Sequence, residues 1–189
     1  MLEELKVKIV GIAPLLMHNG QTADPLNSFA RELKAVSSKR KKSEDDYQEM
    51  ARIEWHAGLY VDDDGYPCIP DTCIEAAIID GAKKSKLGKH FKSSVFCEGN
   101  FRVDYGGRKK AVDLWGDDNY RDTRSVRVGQ ARVMRTRPIF RNWSAVITVM
   151  YDAELTDEAN VLKALDDAGR QSGVGDFRPK FGRFEVQAA

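Results

Sequence analysis

Two stretches of this 189-residue chain read as helices, and each lies between runs that read as strands. The first run, "LKVKIVGIAPLL", sets Leu5, Val7 and Ile9 against Lys6 and Lys8, then turns apolar on both sides before Pro14 stops it. That pattern predicts a strand, half buried at first and central later. "GYPCIPDTCIEAAIIDGAKK" follows, with Ile74, Ala77, Ile78 and Ala82 at helical spacing and lysines at its end, where cations suit the helix dipole. Thr72 and Glu75 stand at the separation of a capping box. "ARVMRTRPIF" and "WSAVITVMYD" read as two strands turning at Arg141 and Asn142, a hairpin by spacing. "LTDEANVLKALDDAGRQSG" gives the second helix, capped by Thr156, and "GRFEVQ" a closing strand.

The resulting order is strand, helix, strand, strand, helix, strand. It predicts an α+β fold with a ferredoxin-like (βαββαβ) core: an RRM-like antiparallel sheet with both helices on one face and the other face open. One domain is expected, with its core in residues 1–20, 66–86 and 124–189. Segments 21–65 and 87–123 read as insertions. The first contains two helical pieces around the basic stretch Lys39 to Lys42, the second of them capped by Ser43.

Composition removes several classes. Hydrophobic residues make up 42% and charged residues 31%, and no apolar run approaches the roughly 20 residues of a membrane span. "MLEELKVKIV" lacks the basic-then-apolar order of a secretory signal. Three cysteines are too few for a disulfide framework, so a reducing cytoplasm is expected. Net charge is only +1, but from Arg121 to Arg141 seven arginines face a single acid, Asp122. A neutral chain with one arginine-dense region predicts one electropositive surface.

The segment "SGVGDFRPKFGRFEV" exceeds what a helix stop and a closing strand require. Gly173 and Gly175 permit left-handed or close-approach backbone, whose amides can face phosphate. Arg178, Lys180 and Arg183 supply cations suited to phosphate oxygens. Phe177 and Phe181 read equally as stacking platforms for unpaired bases or as core residues, and Phe184 as core. On the preceding hairpin, alternation places Arg135 and Arg137 on one face and Met134, Thr136 and Phe140 on the other. Pro138 favours an edge strand. Arg121, Arg124 and Arg127 are expected on a projecting loop.

These features resemble the repeat-associated mysterious proteins, the superfamily that supplies backbone and processing subunits of CRISPR effector complexes. Pro67, Ile69 and Pro70 match its P-x-I-P entry to the first helix, with Asp71 where glycine and Glu75 where lysine is usual. Gly173, Gly175, Arg178, Gly182 and Arg183 lie on its glycine-rich loop pattern, with a stretched middle. The likeness covers roughly half the chain and is similar to that of small relatives in tailed-phage genomes. It implies a bacterial or phage-encoded protein, nucleic acid at the glycine-rich loop, and a thumb-like loop against the bound strand and a neighbouring copy.

The expected function is binding of single-stranded DNA or RNA without sequence preference, as a coat of many copies and without a cofactor. Gly173, Gly175, Phe177, Arg178, Lys180, Phe181, Arg183, Arg124, Arg127, Arg135 and Arg137 form the expected contact surface. No helix carries a compact set of base-reading side chains, which disfavours duplex reading. One alternative is an endoribonuclease using His18, or Asp24 with a metal, against the plainer readings of a structural histidine and a turn aspartate. Another is a phage structural or host-interacting protein that imitates a CRISPR subunit, for which the acidic segments speak. Cys68, Cys73, His90 and Cys97 would make a Cys₃His zinc set, against buried thiols. No serine or cysteine triad signature is present.

Overall fold

In the computed structural model, which describes residues 1–107 and 109–188, the alternation of the first run becomes strand β1 (Leu2–Gly11). Val7 and Ile9 are buried while Lys6 is exposed and Lys8 half-buried. β1 pairs antiparallel with β8 (Ser144–Asp152) on one side and with β9 (Phe184–Ala188) on the other. The two-residue β4 (Val95–Phe96) completes a sheet of order β4-β8-β1-β9. With β4 as the second strand of the motif and β8 as the third, this is the 4-1-3-2 arrangement of a ferredoxin-like core.

Two helices cover one face. α3 (Asp71–Ala82) and α5 (Glu158–Gln171) cross with Gly81 against the backbone of Ala164 and Ala168, too close for any Cβ at Gly81. Val7, Ile9, Ile147, Val149, Ile74, Ile78, Val161 and Leu165 form the dry layer between sheet and helices. Burying each such side chain contributes about 1.5–3 kcal/mol before entropy is counted.

The second core strand departs from expectation. β7 (Ala131–Phe140) pairs not with β8 but with β6 (Arg121–Val128) and with the short β2 (Leu15–Leu16), in a separate three-stranded sheet. Its tight turn is Gly129–Gln130, with Gly129 at φ +60°, the left-handed backbone that a two-residue hairpin requires. Arg141 and Asn142 are only a corner between sheets. Trp143 beyond them is buried, donating from its indole to the Ala13 carbonyl at 2.8 Å. Pro138 is thus on the middle strand, opposite Arg121, where β2 has just ended. Arg121, Arg124 and Arg127 lie on β6, not on a loop.

Around this core α1 (Ser28–Ser37) packs on α2 (Glu44–Gly58), whose N-terminus carries a full capping box between Ser43 and Asp46. β3 (Cys68–Pro70) pairs with β5 (Asn100–Arg102), and α4 (Gly88–Ser94) leads into β4. Two caps differ from the reading above. α3 begins at Asp71 with Pro70 as its cap residue, and α5 is capped by Asp157, whose side chain accepts from Asn160 N. Thr72 lies two residues past the cap position Pro70, and Thr156 one residue before the cap Asp157.

Candidate nucleic-acid interface

The glycine-rich loop between α5 and β9 is held shut by its own backbone. Gly173 N donates to Ala168 O, Val174 N to Gly182 O, Asp176 N to Leu16 O and Gly182 N to Pro14 O, all within 2.7–2.9 Å. Gly173, Gly175 and Gly182 have φ of +72°, +79° and +71°. A Cβ on Gly175 would lie 2.5 Å from the Leu16 carbonyl oxygen, and one on Gly182 would overlap the Val174 carbonyl. These glycines let the loop close onto β2 and onto itself. The Gly173 amide, read above as a phosphate donor, is already committed, while its carbonyl faces the Arg178 guanidinium at 3.4 Å.

The arginines read as open contacts are paired. Directly opposite residues of an antiparallel pair share a face, and the β6–β7 register sets Arg124 opposite Arg135 and Asp122 opposite Arg137. Arg124 binds Asp122 with two hydrogen bonds. Arg135 donates to Glu54 of α2 at 2.6 Å, and the same carboxylate accepts Thr136 N at 3.0 Å. Arg137 lies 3.1 Å from Asp176 and Arg178 3.3 Å from Asp80. Four cations are therefore met by four carboxylates. Phosphate arriving here must compete with them, and only their exposed faces are open.

The pairs aim the guanidinium groups at the loop. Arg124 lies 5.5 Å from the Phe177 ring centroid and 4.5 Å from that of Phe181, and Arg137 lies 5.1 Å from Phe177. Phe181 is 7% exposed and packs with Leu16 and Ile139, so it supports the loop from below. Phe177 is 40% exposed and has φ +54°, a left-handed conformation uncommon for a bulky residue. The outcome is one aromatic ring presented at the surface beside two fixed guanidinium groups. Arg137 itself is only 11% exposed, and its Nε and Nη1 find no hydrogen-bond partner among the described residues.

Lys180 is exposed and Arg183 half-buried, and neither enters an ion pair among the described residues. Arg127 and Arg132 stand exposed at the far end of the ribbon, where Arg127 donates to the Gly129 carbonyl at 3.0 Å. The loop and both strands thus bring Phe177 close to Arg124 and Arg137, with Arg135 beside Arg137 and Arg178 beside Phe177, while Arg127 belongs to the ribbon's tip. Asp122 is the one acid named among the arginines in the sequence, whereas Asp176, Glu54 and Asp80 are further carboxylate partners of this cluster. Asp176 and Asp122 were visible inside the quoted motifs. Glu54 and Asp80 come from helices far along the chain.

The motif before α3 has turned inward. Asp71 accepts Gly99 N at 3.0 Å, and Glu75 accepts Cys97 N at 2.8 Å. Glu75, standing where lysine is usual in the resembling superfamily, carries a carboxylate that fastens α3 to the β4–β5 connection. His18 lines a small cleft with Glu54, Arg135 and Arg137. Desolvation, then the positive charge of Arg137, lowers its pKa. Asp24 makes a turn, accepting Leu26 N at 2.8 Å, and does not line that cleft. The zinc reading is not supported: the His90 ring contacts the Leu155 carbonyl, and no three candidate ligands lie together among the described residues. Burial pushes the Cys68 and Cys97 thiols up to about 12.

No helix among the described residues is long and apolar enough to cross a membrane. No protein-family model matches the sequence, and none of the curated proteins does. Among solved structures the chain is similar to the crystal structure of Cmr6 from Pyrococcus furiosus, with 12% identity over 99% of each chain and a TM-score of 0.44. The fold rests on the chain's own strand order: it is α+β with a ferredoxin-like antiparallel core.

Proposed function

We propose that this protein binds single-stranded nucleic acid without sequence preference, acting as a non-catalytic, cofactor-free coat subunit akin to CRISPR backbone proteins. The observation that carries the reading is Phe177, an exposed ring held in left-handed backbone beside the Arg124 and Arg137 guanidinium groups. A base stacking on such a ring contributes about 1–3 kcal/mol, and every base offers a suitable face. The exposed Lys180 and the half-buried Arg124 can supply charge to the adjoining phosphates, and Arg178 adds a charge already steadied by Asp80. The β6–β7 ribbon, with Arg127 and Arg132 at its tip, suits a thumb closing over the strand or reaching a neighbouring copy. A cytoplasmic site of action fits this role.

The test is binding to labelled single-stranded DNA and RNA across a salt series, with particle size followed throughout. Affinity falling linearly with the logarithm of salt, together with particles growing along the strand, supports a coat protein. The preferred strand then separates RNA-guided from replication contexts. Absence of binding to both at low salt overturns the reading and favours a protein that docks acidic protein surfaces instead.

A second reading is an endoribonuclease, favoured by His18 alone. Its lowered pKa keeps it neutral at pH 7, as a general base requires, beside the Arg135 and Arg137 charges. RNA cleavage lost in His18→Ala with binding retained would establish it. Intact RNA after long incubation with divalent metal would remove it.

A further inference from the structure

Of the four carboxylates that meet the arginines around Phe177, three are bound into the fold. Glu54 also accepts Thr136 N, Asp122 holds Arg124 by two hydrogen bonds, and Asp176 meets the nearly buried Arg137. Asp80 differs. One of its oxygens lies 3.3 Å from the Arg178 guanidinium, with the two side chains 32% and 35% exposed, and the other takes Lys83 at 2.7 Å. It stands in the last turn of α3, where the helix dipole disfavours a carboxylate. With Gly175, Asp176, Phe177 and Arg178 it lines an open cleft of about 490 Å³. Among the described residues it accepts no backbone hydrogen bond. Its contacts are two cations, one of them beside the exposed ring.

We infer that Asp80 is an internal competitor for phosphate, holding Arg178 in the free protein and giving it up to a strand whose base stacks on Phe177. The inference rests on the nucleic-acid reading above and concerns how that same site is restrained. An exposed ion pair shifts an equilibrium by no more than about fivefold. Stacking of one base on an aromatic ring contributes from about fivefold to over a hundredfold. A strand that reaches Phe177 therefore offsets the displacement of Asp80. A free phosphate ion has no ring contact with which to offset it, so the same carboxylate leaves strands bound and isolated anions unbound. The other three carboxylates cannot serve in this way, because releasing them loosens the loop, the ribbon or the contact with α2.

Labelled oligouridine, titrated against wild type, Asp80→Asn, Arg178→Ala and the double variant, tests it. Asp166→Asn serves as control, since it removes an equal charge from an ion pair with Arg170 on α5 that lies outside the cleft. Asp80 is partly exposed and free of backbone bonds, so its substitution by Asn keeps the fold. The expected result is binding about three- to fivefold tighter in Asp80→Asn, with a salt slope steeper by about 0.7. The gain is expected to vanish when Arg178→Ala is added, and to be missing from Asp166→Asn. If wild type binds and Asp80→Asn binds no better, the inference is overturned and the loop reading stands. A gain that persists without Arg178, or that Asp166→Asn reproduces, also overturns it by assigning the effect to net charge. If neither wild type nor Asp80→Asn binds at low salt, the nucleic-acid reading falls and takes the inference with it.

Discussion

The Asp176 carboxylate lies 3.1 Å from the Arg137 guanidinium, tying the glycine-rich loop to the middle strand of the small sheet. The next residue is Phe177, whose ring then sits 5.1 Å from the same guanidinium. One ion pair therefore fixes both the loop and the ring the loop presents. Arg137 is nearly buried, so removing Asp176 strands a desolvated charge.

Asp176→Asn is expected to cost about 2–3 kcal/mol in urea unfolding, less than a fully buried pair because Asp176 retains some exposure. Adding Arg137→Met to that variant is expected to restore part of the loss. Strict additivity of the two changes would show that they do not act as a pair.

The loop glycines are predicted to rank by what a methyl group would strike. Gly182→Ala and Gly175→Ala combine positive φ with collision against carbonyl oxygens, and each is expected to cost about 2–4 kcal/mol. Gly129→Ala at the ribbon tip has equally positive φ but open space around it. It is expected to cost only about 1 kcal/mol. Equal melting temperatures for all three would contradict the packing described.

His18 and His56 both have lowered pKa values, first through desolvation and then through nearby arginines. Below about pH 6.5 the unfolded chain therefore binds more protons than the folded one, so stability falls as pH drops through that range. Above it both states are neutral and the contribution vanishes. Chemical unfolding at pH 7.5 and 5.5 should show the loss, and His18→Gln should reduce it. A stability that rises on acidification would reverse the assignment.

Cys68 and Cys97, with thiols pushed up to about 12, are predicted to resist maleimide labelling at pH 7.5 until the chain unfolds. Zinc and chelators are expected to leave the melting temperature unchanged, since the cysteines and His90 do not converge. A rise of several degrees with stoichiometric zinc would revive a metal site.

Much of the core was legible because period and burial agree in it. Lys6 and Lys8 alternate with Val7 and Ile9, and the α3 stripe of Ile74, Ala77 and Ile78 faces the sheet. The second strand's place in the core sheet was not legible, because two residues, Val95 and Phe96, carry no period. The longer run Ala131–Phe140 has a stronger strand pattern but spends it on another sheet. Gly129 was the missed signal: a glycine between two arginine-studded strands marks the tight turn, whereas neither Arg141 nor Asn142 takes positive φ. The candidate interface was half legible. Its glycines, aromatics and arginines lie in two short segments, but the carboxylates that neutralise them arrive from α2 and α3. Only tertiary structure reveals that a cation is already taken.

The most direct test of the account is the affinity of Phe177→Ala for single-stranded RNA beside that of wild type. The account predicts measurable, salt-dependent binding by wild type, weakened on the order of 10-fold by the substitution for every sequence tried. Equal affinities would remove Phe177 from the interface, and the central claim with it.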